Sequence, residues 1–403
     1  MKKISNLLMM ALLTIGMGLT SCEGALDDIL GEWSRPTPGS STGGAVTSIG
    51  LDADMKLAVG DKGQLTAKVD PAGTAVTWSS DKEEIATVDA NGLVTAVAVG
   101  TAIITAKAGD KTATCEVTVT PGLSTPLTVE AITAGTIKVT SPQPGMNYST
   151  DGGVTKKIIL GDVNISVAAG DKVAFYGTAT YYNGTKISGA DDSGTFKCKV
   201  YGNIMSLLYE DFATNTNTTL PDENTFYRLF YGNTKLTDAS GLLLPAKTLT
   251  NNCYFSMFEG CSALTAAPAE LPAETLTYGC YQHMFNGCTA LTTAPKLPAM
   301  ALADHCYEQM FEGCKALTET PKLPAQELKV NCYYGMFRNC TSLTTAYVKA
   351  NYKNTTSYHE CEQMFAGCTN AATSTFYSDY AANWKSNFSA SLSSWQTAAY
   401  PTE

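Results

Sequence analysis

Residues 306–318 read CYEQMFEGCKALT, and this stretch decides the fold because its frame, C-Y-x-x-M-F-x-G-C-x-x-L-T, recurs along the chain. The other copies begin at Cys253, Cys280 and Cys332. Degenerate copies flank these four, around Leu229-Phe230 and Met364-Phe365. Successive Met-Phe positions are 28, 27, 26, 26 and 28 residues apart. This period predicts an array in which neighbouring copies bury one another's apolar side chains and the outermost copies act as caps.

The frame predicts a short helix followed by a short strand. At ~100° per residue, an inward arc of ~140° would hold four side chains of one copy. They are Cys306, Tyr307, Met310 and Phe311. Gly313 suits the left-handed residue that ends a helix, and Asn339 takes its place in the next copy. Leu317-Thr318 reads as a strand, and the prolines after it argue against a second long helix.

The copies resemble the BspA-like leucine-rich repeats of Bacteroidetes surface proteins. The resemblance extends upstream to Tyr201-Gly202-Asn203-Ile204 and so covers residues 200–372. It implies an α/β leucine-rich-repeat solenoid over residues 206–372, followed by a C-terminal cap at 373–403.

The first residues predict export and a lipid anchor. Lys2 and Lys3 precede an apolar run from Leu7 to Leu19, which is short for a permanent membrane span. Leu19-Thr20-Ser21-Cys22 resembles the lipobox of bacterial lipoproteins, with ordinary cleavage nearby as the alternative. The resemblance implies a signal peptide at 1–21 and lipid attachment at Cys22. The acidic residues that follow resemble an export signal, which implies a protein lipid-anchored in the outer membrane and exposed at the cell surface.

Residues 22–45 include a stretch rich in Pro, Gly and Ser that is typical of a flexible tether. Residues 46–121 then alternate short strands with turn signals and predict a β-sandwich. Strands are expected at Val76–Ser80, Ile85–Val88 and Leu93–Ala96, with a turn at Asn91-Gly92.

The segment 46–121 resembles the bacterial Ig-like group 2 domain (BIG2). The resemblance rests on four motifs in the order W-S-S, I-A-T-V-D, N-G-L-V-T-A and G-T-A-I-I-T-A. Such modules commonly act as spacers. Trp78 is expected to anchor the core, with a ligand platform as the alternative. Cys115 stands alone in the segment, so no internal disulfide can form.

Residues 122–205 continue in strands and predict a second small β domain. An Asp-Gly-Gly turn at 151–153 and Asn183-Gly184 mark its turns. Tyr181 and Tyr182 could face a sugar, although packing in a core or turn is favoured. The predicted fold class is therefore multidomain: an Ig-like β-sandwich, a second small β domain and an α/β leucine-rich-repeat solenoid.

Thirteen cysteines raise the question of disulfides or metal. In a helix Cys253 and Cys261 would lie ~12 Å apart, beyond the ~7 Å that a disulfide spans. Buried free thiols are favoured, and disulfides between neighbouring copies or a metal site are the alternatives. Because neither C-x-x-C nor paired histidines occur, the sequence predicts no metal site and no cofactor.

Charge and motifs argue against nucleic-acid binding and catalysis. The net charge is −10 and no run of Lys and Arg offsets it, so no nucleic-acid partner is predicted. The three histidines take different places in the frame: His283, His305 and His359. One variable position reads as solvent-facing rather than as a carboxylate pair: Glu259, Asn286, Glu312 and Arg338. No nucleophile with a matched base and no phosphate loop appears, so the sequence predicts neither an enzyme nor catalytic residues.

Two sets of residues are candidates for a binding surface. One is the tyrosine column Tyr254, Tyr281, Tyr307 and Tyr333, for which core packing is favoured and a ligand surface is the alternative. The other is the set of short strands that begin at Thr265, Thr292, Thr318 and Thr344, which form a shallow neutral surface. We therefore predict a surface lipoprotein that binds an extracellular or host protein, adhesin-like, through the repeats. The alternative is a glycan-binding lipoprotein of a polysaccharide-uptake system, and the ligand-binding residues stay unassigned.

Overall fold

The computed structural model describes residues 45–191, 194–352, 360–368 and 373–401. Residues from Val46 onward form one compact unit. The predicted signal peptide at 1–21 and the predicted lipid attachment at Cys22 lie outside the described residues, as does His359. Within the described ranges, no helix is both long and apolar enough to cross a membrane.

The first β region holds nine strands. They are β1 (Ser48–Gly50), β2 (Asp54–Ala58), β3 (Lys62–Gln64), β4 (Lys68–Asp70), β5 (Thr77–Ser80), β6 (Ala86–Val88), β7 (Leu93–Ala96), β8 (Gly100–Ala108) and β9 (Lys111–Thr120). The sheets run β2-β9-β8-β5, β3-β7-β6 and β1-β4. The strands expected at Val76–Ser80, Ile85–Val88 and Leu93–Ala96 are confirmed as β5, β6 and β7.

A separate core lies within this region and includes Leu65, Val94 and Ile104. Trp78 is half-buried against that core, as expected of an anchor. Gly92 has a φ of +82°, and a Cβ there would lie 2.7 Å from the Trp78 ring and 2.7 Å from the Leu65 carbonyl oxygen. The Asn-Gly turn therefore needs glycine both for its backbone conformation and for the space that the tryptophan occupies.

The second β region holds eight strands and a 3-10 helix, Ile204–Leu207. The strands are β10 (Leu127–Ala131), β11 (Gly135–Thr140), β12 (Asn147–Ser149), β13 (Lys157–Ile158), β14 (Val163–Val167), β15 (Lys172–Tyr176), β16 (Lys186–Ala190) and β17 (Cys198–Asn203). One sheet runs β13-β12-β15-β10-β17 and continues into β18 (Leu236–Leu243) of the repeat region; the other runs β14-β11-β16. Tyr182 is buried between these strands and the repeats, while Tyr181 is 44% exposed.

The remaining elements lie toward the C-terminus. They are β19 (Glu319–Leu323), β20 (Thr345–Val348), β21 (Thr375–Tyr377), α1 (Ala381–Asn387), α2 (Ser389–Leu392) and β22 (Gln396–Ala398). Strands β19 to β22 form one parallel sheet in chain order.

The predicted α/β leucine-rich-repeat solenoid is wrong. The described residues are 33% strand and 4% helix, with the strands distributed over several sheets, and they form no solenoid. Within the described part of residues 206–372, the frames that were expected to be helical consist of turns.

Backbone geometry explains why the frame is not a helix. Every fourth residue is left-handed: φ is 59° at His305, 50° at Gln309 and 72° at Gly313. A left-handed residue costs roughly 1–2 kcal/mol in an L-residue chain and interrupts an α-helix. Three consecutive tight turns therefore replace the predicted helix, and Gly313 ends the last turn rather than a helix.

The backbone amides of a copy alternate between two partners. Tyr307 N donates to Cys332 O in the next copy at 3.1 Å, whereas Glu308 N donates to His305 O, three residues back, at 3.3 Å. Gln309 N again donates to the next copy, at 2.8 Å to Tyr334 O. Half of the amides thus close turns and half join neighbouring copies, and none is left for the i−4 ladder of a helix.

The side chains of the frame are buried as expected, although the backbone that buries them differs. Met310 and Phe311 are 0% exposed, and Cys306 and Tyr307 are at most 2% exposed. The phenylalanines stack in a column with ring centroids 5.3 to 5.8 Å apart. The predicted core role of the tyrosine column is confirmed, because Tyr254, Tyr281, Tyr307 and Tyr333 are all buried.

Both ends of the columns are covered. At the first end, Phe226 stacks between Tyr182 and Tyr254 at 6.2 and 5.7 Å. At the last end, Phe376 and Phe388 meet the Phe365 ring edge-on at 5.9 and 5.8 Å. The aromatic core therefore continues from the second β region, through the repeats, into the C-terminal segment.

Candidate binding groove

The outward face of the repeats carries a row of threonines. The hydroxyl of Thr265 donates to Thr237 O at 2.8 Å, and that of Thr292 donates to Thr265 O at 3.1 Å. Thr344 makes the same contact with Thr318 O at 3.3 Å. The threonine-rich strands predicted from the sequence thus lie side by side, and the hydroxyls of Thr265, Thr292 and Thr344 are oriented by the preceding copy.

A groove of about 670 Å³ lies on this face. Its walls come from three successive copies, the first contributing only Glu270, and from Tyr400 near the C-terminus. The threonines and charged residues of its lining are Thr292, Thr293, Thr318, Glu319, Thr320, Glu270, Lys296 and Lys322, and the prolines are Pro295, Pro298, Pro321 and Pro324. Of the four predicted threonine strands, those at Thr292 and Thr318 line the groove, whereas Thr265 and Thr344 lie outside its lining.

Two lysines occupy equivalent positions of the groove. Lys296 and Lys322 each lie 12 residues after the methionine of their copy, in the tetrapeptide Pro-Lys-Leu-Pro at 295–298 and 321–324. Both side chains are exposed. Among the described residues, neither ammonium group has a carboxylate within 4.0 Å. Sequence reasoning missed this pair, although the repeated tetrapeptide is visible in the sequence.

Aromatic rings lie beside the groove, and one of them, Tyr400, lines it. Tyr347 stacks on Tyr377 with centroids 4.6 Å apart, on the outward face of β20 and β21. Partial burial raises the pKa of Tyr347, and the neighbouring carboxylate of Glu319, which lines the groove, raises it further. Tyr400 enters from the C-terminal segment, where its amide donates to the Asp379 carboxylate at 3.2 Å and Lys349 lies 5.8 Å from its ring.

The variable frame position does not simply face solvent. Its side chains are half-buried and bond across copies: Asn286 donates to the Glu312 carboxylate at 3.4 Å, and Arg338 donates to the same carboxylate at 2.7 Å. Arg338 also reaches Gln363 in the last copy at 2.7 Å. These hydrogen bonds connect neighbouring copies, and the Glu312 carboxylate and the Arg338 guanidinium neutralise each other.

The histidines stand apart from one another in the frame. His283 contacts the Phe255 ring, and the His305 ring nitrogen lies 2.5 Å from the Glu308 carboxylate. In the described part of the chain, no group of three His, Cys, Asp or Glu side chains is placed to hold a metal ion.

The repeat cysteines of the described residues are buried free thiols, and all but Cys361 lie in two columns. The second cysteine of each copy donates to the phenylalanine carbonyl of the preceding copy; Cys288, for example, reaches Phe258 O at 3.1 Å and Cys340 reaches Phe311 O at 3.1 Å. Burial raises the pKa of Cys280 and of Cys368 to about 12. These two thiols are therefore poor nucleophiles, because their reactive thiolate is strongly disfavoured.

Comparison with known proteins identifies one part of the chain. Residues 74–121 match the family described as Big-like, the bacterial Ig-like domain. A lacto-N-biosidase from Bifidobacterium bifidum is 44% identical over 90 residues, which are 21% of this chain and 8% of that protein. The match lies in the Ig-like region, so this chain spans less than a tenth of that relative's length. The segment 74–121, with its strands β5 to β9, belongs to the bacterial Ig-like domains.

Proposed function

We propose that this protein is a lipid-anchored surface protein that binds an extended segment of an extracellular protein in the groove. The observation that carries the proposal is the groove itself: oriented threonine hydroxyls, two lysines without ion pairs among the described residues, and aromatic rings on one face. Such a surface binds and orients a ligand but offers no activated nucleophile. The proposed role is therefore binding, not catalysis.

The lysine pair indicates the charge of the bound segment at these two positions, although Glu270 and Glu319 also line the groove. Neighbouring parallel strands lie ~4.8 Å apart, so Lys296 and Lys322 repel each other across adjacent copies. A carboxylate between them would turn that repulsion into two favourable contacts. An extended acidic segment would meet the lysines with its side chains and the threonine rows with its backbone.

The other parts of the chain fit display outside the cell. Under this proposal the lipid on Cys22 holds the protein in the outer membrane, and the Ig-like domain acts as a spacer, as in the Bacteroidetes surface proteins that the sequence resembles. A Cys22→Ser variant should then take up no labelled fatty acid and should leave the membrane fraction. Persistence of both label and membrane association in that variant would contradict the anchor.

Binding tests the groove directly. The purified full-length chain should bind one or more members of a panel of extracellular-matrix proteins, and added salt should weaken that binding. The double variant Lys296→Glu, Lys322→Glu should lose about tenfold or more in affinity, because two charge contacts are reversed. The matched control Lys62→Glu, Lys68→Glu makes the same charge change in the Ig-like domain and should bind like the wild type.

Two results would count against the proposal. Equal losses in both double variants would place the effect in the overall charge of the molecule rather than in the groove. Binding to no member of the panel would refute the protein-binding role.

A glycan is the second candidate ligand, and one observation favours it. The stacked, half-buried pair Tyr347 and Tyr377 exposes an aromatic surface beside the groove, and aromatic faces are suited to stacking on sugar rings. A glycan array distinguishes the candidates. Binding that Tyr347→Ala abolishes and that the lysine variants leave unchanged would assign the face to a sugar.

A further inference from the structure

The last copy of the frame departs from the others by one residue. Glu360 stands where the earlier copies have their first cysteine, and Cys361 stands where they have tyrosine. The tyrosine column therefore ends at Tyr333, and a thiol occupies the next place in it.

This displacement brings two thiols of adjacent copies together. Tyr333 N donates to Glu360 O at 2.8 Å, which fixes the register of the last copy on the one before it. The Cys332 sulfur lies 3.8 Å from the same carbonyl oxygen, and burial and then interaction with the Cys332 thiol raise the pKa of the Cys361 thiol. Both side chains are 0% exposed. In the earlier copies the residue after the first cysteine is tyrosine, so this diagonal thiol pair does not arise there.

We infer that Cys332 and Cys361 form a disulfide site, oxidised after the protein leaves the cytoplasm. The oxidant is the disulfide of an extracytoplasmic thiol oxidoreductase. The thiolate of one cysteine attacks that disulfide and forms a mixed disulfide with the oxidoreductase. The second cysteine then attacks its partner's sulfur in the mixed disulfide, so the Cys332–Cys361 bond forms and the oxidoreductase leaves as a dithiol. Two protons and two electrons pass from this chain to the oxidoreductase. Access requires local opening of the last copy and of the C-terminal segment packed on it, or oxidation before that segment has docked.

The bond would close a loop of about 30 residues and fasten the last copy to its neighbour, which restricts the unfolded chain at that end. The inference rests on the proposed export, because disulfides persist in oxidising compartments. It does not depend on what the groove binds.

Peptide mapping tests the inference. The full-length chain is isolated from a secreting host, alkylated under denaturing conditions before any reduction, and digested with trypsin. We expect the peptide 330–338 to be linked to the peptide 354–385, with fragmentation placing the bond at Cys361 rather than at Cys368. Reduction should lower the melting temperature of the wild type.

Variants provide the controls. Cys361→Tyr restores the frame residue, and Cys332→Ser removes the other partner; each should lose the linked peptide and the effect of reduction on melting. Cys280→Ser, one of the column thiols without a diagonal partner, should keep both. If the host retains the protein in its cytoplasm, the reduced protein is instead incubated with an oxidised thiol oxidoreductase. Recovery of Cys332 and Cys361 as alkylated thiols, from exported or enzyme-treated protein that melts cooperatively, would overturn the inference.

Discussion

At the scale of single residues, each position of the frame is explained by what its side chain meets in the neighbouring copy. The second cysteine donates to a phenylalanine carbonyl of the preceding copy, as Cys314 does to Phe285 O at 3.3 Å. Asn233 holds this place in the first copy, where the neighbour is the second β region; its side chain accepts from Gly189 N at 3.2 Å and donates to Ile187 O at 3.5 Å. An amide therefore replaces the thiol where strand backbone, rather than another copy, has to be satisfied.

A buried tyrosine hydroxyl gives the first prediction. The hydroxyl of Tyr254 is buried and has no hydrogen-bond partner among the described residues. Because an unsatisfied buried polar group costs about 1–3 kcal/mol, Tyr254→Phe should raise the free energy of unfolding by about 1 kcal/mol. In the matched control, Tyr182→Phe, a buried hydroxyl that donates to Leu207 O is removed. The control should lower stability by about 1 kcal/mol. Urea denaturation of both variants decides, and a loss of stability in Tyr254→Phe would contradict the assignment.

The thiol columns predict sensitivity to alkali. Burial raises the pKa of Cys280 to about 12, and hydrogen bonds from neighbouring backbone and side-chain groups offset only part of that rise. An unfolded thiol has a pKa of about 8.5, so above that pH the unfolded state binds fewer protons than the folded state and the free energy of unfolding falls. The full contribution is present below about pH 8.5 and is lost progressively as the pH rises toward 12.

Each such thiol should contribute a slope of about −1.4 kcal/mol per pH unit in this window. Urea denaturation under reducing conditions between pH 8 and pH 10.5 measures the total slope. Cys280→Ala should make the pH slope of the unfolding free energy shallower by the contribution of one thiol. Identical slopes in the two proteins would show that Cys280 is not buried as a neutral thiol.

At the scale of the element, the sequence predicted what is buried but not the backbone that buries it. Burial at frame positions one, two, five and six fits one face of a helix with 3.6 residues per turn, and it fits a series of four-residue turns equally well. The distinguishing signal lay in the positions between the four apolar ones. Residues that tolerate left-handed backbone recur at every fourth place, as at Asn331, Gly335 and Asn339. The hydrogen-bond partner of each backbone amide depends on the next copy, and the local conformational propensity of the residues does not specify that partner.

Gly335 separates the turn from the helix. It lies within the stretch predicted to be helical, and its φ is +56°. In a helix Gly335→Ala would stabilise the protein by about 1 kcal/mol, whereas in this turn the Cβ should destabilise it by about 1 kcal/mol or more. A Cβ there would also lie 3.2 Å from the Gln309 side chain, which is flexible enough to move. Gly161→Ala is the control, because a Cβ at Gly161 meets open space and its φ is not left-handed. In thermal unfolding, Gly335→Ala should lower the melting temperature and Gly161→Ala should not. A higher melting temperature for Gly335→Ala would support the helical interpretation.

At the scale of the whole molecule, the candidate groove combines predictable and unpredictable parts. The threonine strands follow from the repeat period alone, because equivalent residues of neighbouring copies must lie side by side. The contribution of Tyr400 could not be predicted. It depends on the chain passing through α1 and α2 and returning as β22 beside β21, which aligns the C-terminal residues with the repeat face. That path is set by packing of Phe388 on Phe365 of the last copy and of Trp384 on Tyr352 and Phe388, and the repeat frame does not specify these contacts.

The division of the apolar core predicts how the molecule unfolds. One cluster is confined to the Ig-like region, whereas the other continues from Leu127 to Trp395 without a break between the second β region, the repeats and the C-terminal segment. Because cooperativity follows continuous packing, we expect two calorimetric transitions, one for the Ig-like region and one for everything after it.

Core variants assign the two transitions. Ile104→Ala removes a fully buried side chain of the first cluster and should lower only the Ig-like transition, by about 2–5 kcal/mol in unfolding free energy. Phe311→Ala opens the phenylalanine column between Phe285 and Phe337, whose rings lie 5.5 and 5.6 Å away, and should lower only the other transition, by about 3–5 kcal/mol. A single transition that moves with both variants would mean that the Ig-like region and the repeats unfold together. That result would contradict the spacer role, because an independent spacer domain has an apolar core of its own and unfolds separately from the repeats.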